Sequence, residues 1–254
     1  MSENTTLDAF LSGGLKLRQA RAGHRSGIDA ILLASVTPPG TDGLILDVGA
    51  GSGAVGLAAA VHAPSSRVGL IECDPLACAL SRENIAFNQF DARARVFELD
   101  LASGLDRRKS GLIDESAQLI LTNPPFYERG RVRITPDSAK ANAHIASMPL
   151  SEWTRHCLAL LAPGGFFSMI HRAEALGECL AAVSGRLGAV RILTVFSRPS
   201  EPAIRIILGG VKGSKAPMSL RPALALQDAN GAVSDIARKL GGGALLQDLV
   251  GPFF

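Results

Sequence analysis

The sequence predicts an α/β fold with a mainly parallel sheet that ends in an antiparallel hairpin. Three observations carry this expectation. Short apolar runs rich in branched residues alternate with helix-length patterns between Leu44 and Arg186. A glycine-rich stretch, Asp47-Val48-Gly49-Ala50-Gly51-Ser52-Gly53, falls where the first of those runs hands over to a helix. Two β-rich runs, 190–196 and 203–209, are joined by Ser-Arg-Pro-Ser-Glu-Pro, a link too short for a parallel crossover, so they pair antiparallel.

Taken in order, 44–48 reads as a buried parallel strand and 54–62 as a helix of small residues. Residues 68–71 read as the next strand. Pro75 then opens a helix at a position where its missing N–H does no harm, and Leu76, Leu80 and Phe87 form an apolar stripe on it. Residues 95–99 and 119–122 follow as strands, separated by a polar stretch holding Arg107, Arg108 and Lys109. Ser151, with Glu152 close behind, reads as the N-cap of a helix reaching Leu161. Pro163-Gly164-Gly165 stops it before a fifth strand, 166–170, and 173–186 is helical again.

Composition narrows the class. Of 254 residues, 47% are hydrophobic and 19% charged, which excludes a charge-rich disordered chain. Cys73, Cys78, Cys157 and Cys179 include no C-x-x-C pair and no zinc spacing, so neither a metal nor a disulfide framework is expected, and the thiols read as small core residues. The histidines His62, His144, His156 and His171 match no metal spacing either, and Trp153, four residues before Cys157, reads as a core anchor. The first residues carry no secretory or transit pattern, and the longest apolar stretch, 158–170, is interrupted and too short to cross a bilayer. The expectation is a cytoplasmic protein with no membrane passage. The net charge is only +3, but it is unevenly spread. Residues 9–28 hold Lys16, Arg18, Arg21 and Arg25 and no acid; residues 186–221 hold seven bases against Glu201 alone. One basic face, suited to a polyanion such as RNA, is the functional reading; solvated surface charge is the bland one.

Glycines at a strand-to-helix junction let backbone N–H groups approach a ligand at the helix N-terminus. The segment Gly51-Ser52-Gly53-Ala54-Val55-Gly56 also fits a dinucleotide fingerprint, with Glu72 as the ribose acid, so a nicotinamide-dependent oxidoreductase is one reading. Asp100 recurs at the end of the third strand, on the same carboxyl rim. Asn123-Pro124-Pro125-Phe126 follows the fourth strand and has no use in a dehydrogenase. Its prolines hold the chain extended, so the Asn123 side-chain oxygen and the Pro124 carbonyl can accept both hydrogens of one amino group. Phe126 offers a face for a flat target. No cysteine follows a proline, which argues against cytosine-C5 chemistry.

Asp47 at the end of the first strand resembles the first motif of class I S-adenosylmethionine (SAM) methyltransferases, and the Asn-Pro-Pro-aromatic tetrapeptide resembles their amino-group branch. Residues 19–34, Gln-Ala-Arg-Ala-Gly-His-Arg-Ser-Gly-Ile-Asp-Ala-Ile-Leu-Leu-Ala, resemble the N-terminal signature of the bacterial tRNA(Val) adenine-N6 methyltransferase family. The resemblance runs from about Leu15 to the C-terminal tail, including Leu224-Ala225-Leu226 and the Asn230-Gly231 turn. It implies a Rossmann-like, seven-stranded sheet, a basic N-terminal extension and helix over 1–36, and a methyltransferase domain over 37–254. SAM would be held by Asp47, Gly49, Gly51, Gly53, Glu72 and Asp100 with Arg25 and Asn123, and the target adenine by Asn123, Pro124, Pro125 and Phe126. His24, Arg25 and Asp29 would shape the rim near the methionine end, although Arg25 and Asp29 could simply pair with each other. Phe126 stands where Tyr is commoner in adenine-N6 and glutamine-N5 enzymes and where Phe is typical of ribosomal RNA guanine-N2 enzymes; His24 stands where an aromatic is usual. The expected function is methylation of an exocyclic amino group of an RNA base, adenine N6 in tRNA. Guanine N2 in ribosomal RNA, glutamine N5 in a protein and a non-catalytic RNA-binding module are the alternatives beside the oxidoreductase.

Overall fold

The computed structural model describes residues 4–22, 25–125 and 148–253. It opens with a hairpin of β1 (Thr5–Phe10) and β2 (Leu15–Ala20), then helix α1 (Ile28–Ala34). The alternating unit follows: β3 (Leu44–Val48), α2 (Ala54–His62), β4 (Arg67–Glu72), α3 (Pro75–Phe87), β5 (Ala94–Glu98), α4 (Gly104–Lys109) and β6 (Ala117–Thr122). Beyond it come α5 (Leu150–Leu160), β7 (Leu161–Arg172), α6 (Leu176–Val183), β8 (Leu187–Phe196) and β9 (Ala203–Lys212). Two-residue strands β10 (Ser219–Leu220) and β11 (Leu224–Ala225) and short helices α7 (Asp235–Gly241) and α8 (Gln247–Val250) finish the chain.

Among the described residues one nine-stranded sheet has the order β10-β8-β9-β7-β6-β3-β4-β5, with β11 also on β8. Seven of its strands are long and two are short additions to the β8 edge. Strands β3 to β7 run parallel, whereas β9 is antiparallel to both β7 and β8, which is the expected hairpin. The chain moves outward from β3 through β4 to β5 and then returns to the other side of β3 with β6. That reversal opens a crevice above the carboxyl ends of β3 and β6, the place where open α/β sheets bind ligands.

The core lies on both faces of the sheet because alternate strand residues point opposite ways. Ile45, Val68 and Leu70 pack with Leu32 of α1 and Leu57 of α2; Leu46, Val48 and Ile71 pack with Trp153 of α5 and Cys179 of α6. Helix α2 comes close to β4 because it is made of small residues: a Cβ on Gly56 would sit 2.3 Å from the Leu70 side chain. Its C-terminal carbonyls are capped by Arg93, which donates to Ala60 O at 2.6 Å and Ala63 O at 3.2 Å.

Several expectations are corrected. The Leu76–Phe87 stripe does not face the core, since Leu76 is 77% and Phe87 50% exposed. The inward face of α3 is Cys78, Ser81, Asn84 and Ile85, with polar residues turned in to bond backbone. Ser151 is not a cap; α5 starts one residue before it, with Pro149 at the N-cap position. Pro163-Gly164-Gly165 forms a bulge inside β7, where the pairing jumps from Ala117↔Leu161 to Leu119↔Phe166. Residues 5–20, read only as a basic extension, are two strands whose Leu15 and Leu17 are fully buried. The four cysteines form no disulfide; Cys78, Cys157 and Cys179 are buried and Cys73 is partly so. Among the described residues no helix is long and apolar enough to cross a membrane.

Candidate active site

The turn between β3 and α2 is built by hydrogen bonds from three directions. Gly49 and Ala50 both donate to Ile71 O, at 2.9 and 3.0 Å, which ties the turn to β4. From α3, Ser81 Oγ donates to Gly51 O at 2.8 Å and Asn84 Nδ2 to Ser52 O at 2.9 Å. From β3, Asp47 Oδ2 accepts the Gly56 N–H at 2.8 Å. The glycines serve different ends. Gly53 has φ +86° and no room, a Cβ there meeting Leu70 at 2.8 Å; Gly51 has φ +55° and nothing within 4 Å of its Cβ position. Gly51 therefore leaves a bare backbone surface facing open space, which is what close approach of a ligand requires.

Asp47 is 1% exposed and its carboxylate is spent on that turn. Burial pushes its pKa up to about 7, against the opposing effect of the Gly56 hydrogen bond and with a smaller raising contribution from Glu72. Glu72, half-buried at the end of β4, accepts Gly51 N–H on Oε2 at 2.8 Å, and Cys73 and Asp74 N–H on Oε1 at 2.7 and 2.9 Å. Three backbone donors thus fix its plane beside Gly51. A carboxylate has about four lone-pair sites, so it keeps capacity for a hydroxyl. Asp74 caps α3 by accepting Leu76 N–H at 2.8 Å, with Pro75 at the first helical position. Asp100 stands two residues beyond Glu98, the register partner of Glu72, and turns the chain into α4 by accepting Ala102 N–H at 2.9 Å.

The end of β6 is held by two side chains. Thr122 Oγ1 donates to Val48 O at 2.8 Å and accepts Trp153 Nε1–H at 3.0 Å. The Trp153 ring lies under the glycine turn, 3.2 Å from the Cβ position of Gly49, so one buried indole braces the ends of both β3 and β6. Asn123 comes next. Its Oδ1 is buried and has no hydrogen-bond partner among the described residues. Pro124 is buried and Pro125 exposed.

The crevice therefore gathers Gly51, Glu72, Asp100, Asn123 and Pro124 at neighbouring strand ends. Phe126 and His24 lie outside the described residues, as does His144. Arg25 bonds Asp8 Oδ2 at 2.8 Å rather than Asp29, and Asp29 pairs with Arg205 Nε at 2.9 Å, which corrects the supposed Arg25–Asp29 pair. Gln19 completes the Asp8 cluster and holds Ser26 N–H at 2.8 Å. Among the described residues no group of three or more His, Cys, Asp or Glu is placed to hold a metal ion. Sequence reasoning missed Ser81 and Asn84 as supports of the turn. The polar spacing 81, 84, 88 on α3 was a usable signal: Asn84 and Asn88 also grip β2, each bonding both N–H and C=O of one residue, Arg18 and Lys16 respectively.

The glycine turn on the central strand, the acids at the next two strand ends and the Asn-Pro-Pro after β6 form an arrangement that a SAM-dependent methyltransferase can use, and the comparisons place the chain in that class. A methyltransferase small domain model matches residues 26–142. The tRNA1(Val) (adenine(37)-N6)-methyltransferase of Porphyromonas gingivalis is 30% identical over 207 residues, 79% of each chain. That of Aeromonas hydrophila is 29% identical over 190 residues, 74% of this chain and 77% of the relative. This chain belongs to that methyltransferase family. Among solved structures, a predicted O-methyltransferase from Agrobacterium tumefaciens has a TM-score of 0.71 at 28% identity, over 85% of this chain and 96% of that one. The TYW2 of P. horikoshii, in complex with MeSAdo, shares the fold with a TM-score of 0.58 at 16% identity, over 84% and 73% of the two chains.

Proposed function

We propose that this chain is a cytoplasmic enzyme that methylates the exocyclic N6 amino group of an adenine in tRNA, adenine 37 of tRNA1(Val). The observation that carries this is the buried Asn123 Oδ1 with no partner among the described residues, placed at the switch point beside the glycine turn. Leaving such an acceptor unmet costs about 1–3 kcal/mol, and an incoming N–H donor removes that penalty. The names of the curated relatives supply the tRNA and the position.

The residues present fit SAM. Gly51 offers open backbone, Glu72 has a fixed carboxylate that would accept from a ribose hydroxyl, and Asp100, after the next strand, would accept from an exocyclic amine. Asp47 acts at one remove by holding Gly56 and hence the turn. Bound SAM supplies an electrophilic methyl group on a sulfonium centre. The chain's task is then to make a poor nucleophile competent, because the lone pair of an aromatic amine is delocalised into its ring. Asn123 Oδ1 and the Pro124 carbonyl each accept one amino hydrogen, which favours a pyramidal nitrogen with its lone pair turned toward the methyl group. The two acceptors also carry the positive charge that develops on those hydrogens. Pro125 keeps the segment extended. Positioning and fixed dipoles supply the rate.

Incubation with SAM and tRNA from cells lacking the modification, followed by nucleoside mass spectrometry, is expected to give N6-methyladenosine. N2-methylguanosine, or methyl transfer only to a protein glutamine, would overturn the adenine assignment and leave the amino-group chemistry standing.

A further inference from the structure

The basic run over 186–221 separates into two kinds of residue once its side chains are placed. Lys212 bonds Glu115 Oε1 at 2.9 Å and the carbonyls of Leu158 and Leu161. Arg205 meets Asp29, and Arg198 lies 3.7 Å from Glu201 Oε1 and bonds Gln227. Those cations are used within the fold. Arg191 and Arg221 meet no acid among the described residues. Strand β10 runs parallel to β8 with Ser219 opposite Arg191, and the next residue but one, Arg221, continues that ladder by donating its N–H to Ile192 O at 2.8 Å, which brings its charge beside Arg191. Both are half-buried. Among the described residues Arg191 bonds Ala189 O at 3.3 Å, and neither guanidinium forms an ion pair. Arg221 Nε is buried with no acceptor among the described residues. Burial first, and then the charge of Arg221, lower the pKa of Arg191 from its ordinary value. Two like charges half withdrawn from water, with no acid beside them among the described residues, favour an anion held between them.

Their height in the sheet gives the arrangement a direction. Leu121 pairs with Ser168, Ser168 with Gly209 and Gly209 with Arg191, so Arg191 stands level with Leu121. Arg221 lies two residues further toward the carboxyl rim, level with Asn123. Four strand spacings separate β6 from β10, roughly 19 Å at ~4.8 Å each. We propose that Arg191 and Arg221 form a phosphate site that holds one phosphodiester of the RNA substrate's backbone while the target base sits at Asn123. The inference rests on the reading of an RNA substrate above.

The test measures tRNA binding by the full chain, by fluorescence anisotropy over a range of salt, beside SAM affinity by calorimetry. Arg191→Gln with Arg221→Gln should weaken tRNA binding about 5–10-fold at 0.1 M salt and shrink the slope of log K against log salt by about 0.7–0.9, the value for one lost phosphate contact. SAM affinity should hold. The double Lys variant should restore the slope and only part of the affinity, because an ammonium cannot make the bidentate contact. Wild-type slope and affinity in the Gln variant overturn the site. Loss of inorganic phosphate binding with tRNA binding intact overturns the RNA assignment and marks a site for free phosphate. If the Gln variant does not fold, a Lys variant that matches wild type in affinity overturns it equally. Absence of tRNA binding by wild type at low salt is a separate failure, that of the RNA reading itself.

Discussion

The carboxyl ends of β4 and β6 flank the same central strand and are finished in opposite ways. At β4, Glu72 is held by three backbone donors, and Ser81 and Asn84 cover two carbonyls of the adjacent glycine turn. At β6, Thr122 is fully engaged with Val48 and Trp153, yet the next residue buries Oδ1 of Asn123 with no partner among the described residues. The first region is organised by the chain alone. The second leaves an acceptor unmet among the described residues, which is how a site can favour a donor that arrives with the substrate.

That contrast breaks most visibly at Asn123. Asn123→Ala should lower kcat at least ~100-fold in single-turnover assays while calorimetry finds SAM binding within a few-fold of wild type. Near wild-type turnover would show the open acceptor to be idle. A smaller effect is expected at the closed end. Glu72→Ala should weaken SAM binding by about 1–3 kcal/mol, the usual scale for losing a charge-assisted hydrogen bond. Unchanged affinity in a folded variant would mean that this carboxylate serves only the turn.

The smallest effect concerns Asp47 and sharpens the comparison through pH. Its pKa rises on folding from 3.8 to about 7, so the folded chain keeps a proton that the unfolded chain releases. The unfolded state then binds fewer protons in that window, and this group's contribution to stability falls as pH rises from about 4 to 7. Asp47→Asn keeps an oxygen for the Gly56 N–H and has no charge to bury. Without ligand, the melting temperature of the variant minus that of wild type should increase from about pH 5 to about pH 8. A flat difference would show that Asp47 stays ionised when buried.

Much of the site was legible because its signals are local. Glycines follow β3 directly, Glu72 ends β4, and Asn123 follows β6, so each candidate residue sits within a few positions of a recognisable strand. The supports were less legible. Asn84 is 66 positions from Arg18 and 32 from Ser52, and it bonds both. Apolar periodicity alone points to Leu76 and Phe87, whereas the buried face is held by Ser81 and Asn84, whose polar spacing is the signal that counts. The hairpin over 5–20 was masked by its charges, although Leu15 and Leu17 alternate with Lys16 and Arg18 in the period of a strand.

The strand-helix rhythm, the antiparallel ending, the glycine turn and the acids of the carboxyl rim can all be read along the chain. These follow from propensity, spacing and the reach of a short link, all of which act between neighbours along the chain. Packing settles which charges meet: Arg25 with Asp8, Asp29 with Arg205, and Arg191 beside Arg221 with no acid among the described residues. Ion pairing depends on which strands and helices are brought side by side, and a chain that crosses over its own sheet sets those distances through packing rather than through order.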